Sequence, residues 1–172
     1  MTNGNIAPCP IPHDALLKAY SSAGGFADCY RTDIAGSISL AQYVAAFYTT
    51  RVFKLERFIL KIAMSMPSTD DQARQLAAGT IDRFAAWHVE ARREDQLLMC
   101  DFQHRTRSWF KVEPVARADG SYTRLYFGSS VVPVIDKSSG TSSLGPVFRT
   151  LLGLHKLYSK ILLRSAATRL RR

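Results

Sequence analysis

The spacing of apolar and polar positions along the chain changes period several times, and each change predicts an element. Pro8, Pro10 and Pro12 fix φ and remove backbone donors, so residues 1–12 are expected to form a loose, extended arm. His13 to Tyr20 fits one short helical segment, stopped by Ser21-Ser22 and Gly24-Gly25. Phe26 to Ile34 has the period of a strand: Phe26, Asp28, Tyr30, Thr32 and Ile34 share one face, and Cys29 lies on the other. Ser39 opens a helix, and its spacing to Gln42 is that of a capping box, in which each side chain satisfies an orphan backbone N–H. Tyr43, Phe47, Val52, Leu55, Phe58, Ile59 and Ile62 keep helical spacing to about Met64, with β-branched Thr49-Thr50 marking a break between two helices. Of these, Tyr43, Phe47 and Phe58, together with Tyr48, are expected in the core. A further helix is capped by Ser68 or Thr69, carries Asp70 and Asp71 at the positive end of its dipole, and ends at Ala78 before Gly79.

The period then returns to two. Phe84 to Arg92 is one strand, Arg93-Glu94-Asp95 a polar turn, Leu97 to Val112 a second and longer strand, and Tyr122 to Ile135 a third behind the Asp119-Gly120 hairpin signal. Asp136 to Gly145 is a Ser/Gly-rich loop, and Pro146 suits the first turn of a last helix reaching about Thr168. The expected fold class is α+β: a mainly antiparallel sheet, one N-terminal strand plus a three-strand meander, covered by a long C-terminal helix. The expected organisation is an arm over residues 1–25, a single domain over 26–168 and a basic tail over 169–172.

Composition narrows the classes. A chain of 172 residues, 47% apolar and 22% charged, is ordinary for one globular domain. No basic and apolar leader opens the sequence, and no window of about 18 apolar residues suggests a spanning helix. The three cysteines, Cys9, Cys29 and Cys100, are widely spaced with no CxxC, so their pattern indicates neither a disulfide framework nor a zinc site, and no cofactor is expected. A reducing cytoplasm is the expected setting. The net charge of +9 favours anionic partners. Residues 137–172 hold eight Lys or Arg and no Asp or Glu.

Candidate chemistry concentrates in residues 100–111. As a strand, one face would carry Cys100, Phe102, His104, Thr106, Ser108 and Phe110; the other, polar enough for solvent, would carry Asp101, Gln103, Arg105, Arg107, Trp109 and Lys111. Polar His104, Thr106 and Ser108 between two Phe on the inner face either bond locally to backbone or line a ligand cavity. Arg105 and Arg107 beside Trp109 are either an anion or nucleobase platform or a solvated face of cross-strand charge pairs, which Asp101 and Glu90 partly neutralise. In an extended strand Cys100 and His104 stand roughly 13 Å apart, which supports no cysteine–histidine pair. His88 is the other histidine weighed as an acid or base. No GxSxG, P-loop, dinucleotide fingerprint or HExxH is present. On the last helix, His155 beside Gly153 is a packing or a ligand-facing residue. Arg149, Lys156, Lys160 and Arg164, spaced by 7, 4 and 4 residues, fall broadly on one side. They form either the outer face of a lid helix, a foot on an anionic membrane, or a nucleic-acid contact.

A meander followed by a long closing helix resembles the helix-grip architecture of the START and plant pollen-allergen superfamily, which implies an apolar cavity between sheet and helix. The stretches Ala41 to Thr50, Phe84 to Trp87, Thr106 to Trp109, Phe127 to Pro133 and Leu154 to Ser159 also resemble a small bacterial family without known activity. That similarity covers residues from about 26 to 166. The leading functional expectation is a binder of a small apolar or amphipathic molecule, with His104, Thr106 and Ser108 orienting its polar end and Phe102, Phe110, Leu154, His155 and Tyr158 around the rest. The alternative is an interaction module whose basic helix and Arg105/Arg107 face meet an acidic protein, anionic membrane or nucleic acid. An enzyme using His88 or His104 as acid or base ranks third.

Overall fold

The computed structural model describes residues 5–21, 26–132, 134–135, 142–143 and 146–171, with side chains at all of these except 63–64, 134–135, 142–143 and 146–155. The chain begins with β1 (Ala7–Pro8), α1 (Lys18–Ser21) and β2 (Phe26–Ala35). Three helices follow: α2 (Leu40–Tyr48), α3 (Arg51–Met64) and α4 (Asp70–Ala78). Then come β3 (Arg83–Phe84), β4 (Trp87–Arg92), β5 (Gln96–Asp101), β6 (Thr106–Arg117) and β7 (Gly120–Val131). A two-residue pair, β8 (Val134–Ile135) and β9 (Ser142–Ser143), precedes α5 (Pro146–Leu170).

Local chemistry explains the helix ends. Ser39 and Gln42 form a complete capping box at α2, and Thr69 with Gln72 forms a second at α4. Thr50, between α2 and α3, caps α3 by accepting from Phe53 N, so the β-branched pair is where one helix stops and the next starts. Gly79 ends α4 with φ 76°, a conformation that costs glycine nothing.

The described strands build an antiparallel seven-strand sheet in the order β1-β2-β7-β6-β5-β4-β3, larger than the four strands that the sequence pattern predicts. β2 pairs with β7 over its full length, Phe26 opposite Val131 and Ala35 opposite Tyr122. The predicted strand from Leu97 to Val112 is a hairpin, β5 and β6, with residues 102–105 as its connection.

Both faces of the sheet are covered. The front face packs Tyr30, Ile34, Leu97, Met99, Phe110, Leu125 and Phe127 against Tyr43, Val44, Phe47 and Tyr48 of α2 and Leu162, Leu163 and Ala166 of α5. Phe47 sits in the middle, edge-on to Phe110 at 4.8 Å and 4.9 Å from Phe127. α5 contacts α2, α3, β2 and β7. The back face packs Cys29, Leu98, Trp109 and Tyr126 under Ala15 and Leu17.

The described part of the arm, residues 5–21, is therefore docked on the sheet. Cys9 N donates to Cys29 O at 2.9 Å, continuing the β1–β2 pairing. Gln96 in β5, 1% exposed, accepts from Leu16 N at 3.0 Å and from Trp109 Nε1 at 2.9 Å, and donates to Asp14 O at 3.1 Å. Gly128 makes the seat: a Cβ there would stand 2.7 Å from Leu17 Cδ2 and 3.0 Å from both Asp28 O and Trp109 Cε3. The expectation of a solvent face is overturned for half of the residues assigned to it. Arg107, Trp109 and Lys111 are buried, with Lys111 paired to Asp14 and, at 3.6 Å, to Asp95.

Docking also brings together two cysteines that lie twenty positions apart in sequence. Cys9 and Cys29 Sγ atoms are 3.2 Å apart. The hydrogen bond with Cys29, helped by Arg31 and Arg124, lowers the Cys9 thiol pKa, and the same bond with burial raises that of Cys29. A thiolate on Cys9 is the attacking group in exchange with a small disulfide. Oxidised glutathione is therefore expected to join Cys9 to Cys29, releasing two glutathione thiols and leaving Cys100 as a free thiol. Urea unfolding should then show a gain of about 3 kcal/mol for a loop of this size, absent in Cys9→Ser. A thiol titration that still counts three after treatment would refute the pairing.

Candidate functional sites on the two faces of the sheet

The connection between β5 and β6 decides which side chains meet. Asp101 Oδ1 accepts from Arg105 N and Thr106 N, each at 2.7 Å, and Oδ2 accepts from Gln103 N at 3.4 Å. His104 takes φ 58°, the left-handed region that non-glycine residues enter at some cost, and Arg107 Nη1 donates to its carbonyl at 2.5 Å. The tight turn breaks the alternation assumed for residues 100–111. Cys100 points to the back, opposite Arg107, whereas Thr106, Ser108 and Phe110 point to the front.

On the front, a cavity of about 200 Å³ lies between β6, β7 and α5. Thr106, Ser108 and Ser129 line it from the sheet, Tyr158 and Ser159 from α5, and Glu56 from α3. Phe47, Phe53, Trp87 and Phe127 supply the apolar wall. Ser129 Oγ donates to Asp28 Oδ1 at 2.6 Å, and Asp28 Oδ2 is buried with no hydrogen-bond partner among the described residues. Tyr158 Oη donates to Glu56 Oε2. Burial pushes the Glu56 carboxyl pKa up against the opposing effect of that bond, and burial with the nearby carboxylate raises the Tyr158 hydroxyl.

Of the residues singled out for a ligand, Thr106, Ser108 and Tyr158 stand at this cavity. His104 and Phe102 do not: both ride on the exposed turn, Phe102 being 43% exposed. Phe110 is fully buried among Tyr43, Phe47, Tyr48 and Phe127, and is part of the core. The side chains of Arg149, Leu154 and His155 lie outside the described residues. Glu56 and Ser129 were missed, because neither α3 nor β7 offers a local signal that its polar residue faces inward.

On the back face a second group assembles. His88 in β4 is the cross-strand neighbour of Cys100, and the turn folds His104 over the same spot. Cys100 Sγ lies 3.5 Å from His104 Nδ1, so the separation expected for an extended chain does not hold. The two imidazoles face each other edge-on with centroids 5.2 Å apart. One donor atom from each of the three residues lies within 4.8 Å of the others. Burial, set against the charge of Arg107, pushes the Cys100 thiol up to about 11.

The cationic residues separate. Arg107 is consumed internally: it pairs with Glu90 at 3.0 Å and stacks 4.4 Å from the Tyr20 ring. Arg105 is exposed beside it. Lys156 and Lys160 lie over the Phe26 and Tyr30 rings at 5.7 and 5.5 Å, and Arg164 is exposed one turn further on. The core assignment of Phe58 is overturned: Leu55, Phe58, Ile59 and Ile62 form an exposed apolar stripe on α3.

These features define the class, an α+β protein on a seven-strand antiparallel sheet with a small mixed cavity in front and a thiol–imidazole cluster behind. Comparison with models of known families, with curated proteins and with solved structures finds no match. No described helix is long and apolar enough to cross a membrane.

The buried carboxyl carries a pH signature. With its pKa raised, Glu56 holds a proton in the folded chain at pH values where the unfolded chain has lost it. Its contribution to stability is therefore largest in acid and declines as pH rises from the ordinary value of 4.5 through the raised one. Urea midpoints measured across that interval should fall less steeply for Glu56→Gln than for the wild type. Parallel curves would show that Glu56 titrates as it does in the unfolded chain.

Proposed function

We propose that this protein binds a small apolar or amphipathic molecule in the cavity between the sheet and α5. The observation that carries the reading is a cluster of polar side chains, Thr106, Ser108, Ser129, Tyr158 and Glu56, set against an aromatic wall. Binding pockets are mostly apolar with a few placed polar groups, and this cavity has that composition at a size below a drug-like pocket. The ligand is accordingly small, with an apolar body against Phe47, Trp87 and Phe127. Its polar end carries a hydroxyl, amide or acid that serine and threonine hydroxyls can donate to or accept from. The packing of α5 over β2 and β7 supports a helix-grip-like arrangement. Native mass spectrometry of the purified chain is expected to retain a ligand, and apolar fluorescent probes to be displaced by it. Filling the cavity with Thr106→Leu and Ser108→Leu should weaken probe binding at least about tenfold while the chain stays folded. The reading fails if no ligand is retained, or if the double variant binds probes as the wild type does.

A second reading rests on the α3 stripe. Leu55, Phe58, Ile59 and Ile62 are more than half exposed at helical spacing, and α5, which packs on α3, adds exposed Leu157 and Ile161 with Lys156, Lys160 and Arg164. An apolar helix face flanked by cations suits the surface of an anionic bilayer. Under this reading the chain sediments with phosphatidylserine vesicles, less so as salt rises, and Phe58→Ser with Ile62→Ser abolishes sedimentation. Unchanged sedimentation of that variant, or equal binding to neutral vesicles, would exclude it.

A further inference from the structure

The back-face cluster carries a function separate from the cavity. We propose that His88, Cys100 and His104 together bind one zinc-class divalent ion, with a fourth position open to solvent.

The donors come from β4, β5 and the turn, so only the folded sheet assembles them. Tetrahedral zinc with bonds of about 2.0 Å to nitrogen and about 2.3 Å to sulfur needs donors roughly 3.3–3.6 Å apart. Cys100 Sγ and His104 Nδ1 already stand at 3.5 Å, and all three donor atoms lie within 4.8 Å of one another. A thiol–imidazole hydrogen bond would account for one of these contacts. It leaves unexplained why the turn holds His104 in the left-handed region with its ring 5.2 Å from a second imidazole, that of His88.

Donor type selects the ion. One thiolate and two imidazoles favour Zn²⁺ and its late first-row neighbours over Mg²⁺ or Ca²⁺, which take oxygen ligands. Binding replaces the S–H bond of Cys100 by a metal–sulfur bond and releases the proton to solvent. Glu90, whose carboxylate also reaches the Cys100 thiol, is held by Arg107 and by the Tyr20 hydroxyl. The protein therefore supplies three donors, and exposed His104 sets the fourth position towards water. Three protein ligands with an open position is the pattern of zinc sites that activate water or hold an exogenous ligand, rather than of closed structural sites.

Cobalt(II) titration of the full chain, stripped beforehand with chelator and kept reduced, tests this directly. The expected result is one Co²⁺ per chain, a thiolate-to-cobalt charge-transfer band in the near ultraviolet, intense tetrahedral d–d bands, and displacement of cobalt by Zn²⁺. Cys100→Ser should remove the charge-transfer band. His104→Gln, on an exposed turn, should weaken binding at least about tenfold. Cys9→Ser should leave the spectrum as it is. Octahedral d–d bands without charge transfer, a band that survives Cys100→Ser, or full affinity in His104→Gln would each overturn the assignment. The cavity variant Thr106→Leu/Ser108→Leu should bind Co²⁺ normally, so failure of the ligand reading and failure of this one are distinguishable.

Discussion

One buried amide ties the docked arm to the sheet. Gln96 is almost wholly removed from water, yet three hydrogen bonds satisfy its side chain: Leu16 N, the Trp109 indole and the Asp14 carbonyl. An unpaired buried amide would cost on the order of 1–3 kcal/mol, so the group is tolerated only where the arm, β5 and β6 meet in one register. That register places Leu17 against Gly128 and Lys111 beside Asp14. A sheet that would otherwise wet its back face is thereby closed on both sides.

Closure on both faces creates two chemically different compartments. In front, aromatic rings from α2 pack tightly on Phe110 and Phe127, but the β6 and β7 ends carry small hydroxyl residues that cannot fill the space beneath α5. In the remaining gap Thr106, Ser108, Ser129, Tyr158 and Glu56, each able to donate or accept a hydrogen bond, face an aromatic wall. Behind, β4, β5 and the turn after it present a thiol and two imidazoles beside the Arg107–Glu90 pair. Backbone geometry separates the two: a single residue at positive φ sends His104 to the rear while Thr106 stays in front.

Much of the fold was legible because its causes are local. The capping boxes at Ser39 and Thr69, the glycine stop at Gly79 and the alternation of β2 each depend on residues a few positions apart. The turn at 102–105 was not legible from glycine or proline, since it has neither; its signal was Asp101, whose carboxylate gathers the next backbone N–H groups. Missing it reversed the sides assigned to Cys100 and His104. The docked arm was hidden for another reason: three prolines announce extended chain, but its seat consists of Gln96 and Gly128, residues that carry no local message. The α3 stripe shows the converse limit. Helical spacing identified the apolar face, but whether anything covers such a face is a property of the assembled molecule.

The glycine notch at position 128 has a consequence for the order of events during synthesis. The arm is made before the strand that seats it, and its seat is completed only when β7 emerges more than a hundred residues later. At translation rates of 5–20 residues per second the arm waits on the order of ten seconds with Leu17 and the Cys9 and Cys29 thiols uncovered. During synthesis, then, the segment that will close the back face has nowhere yet to land.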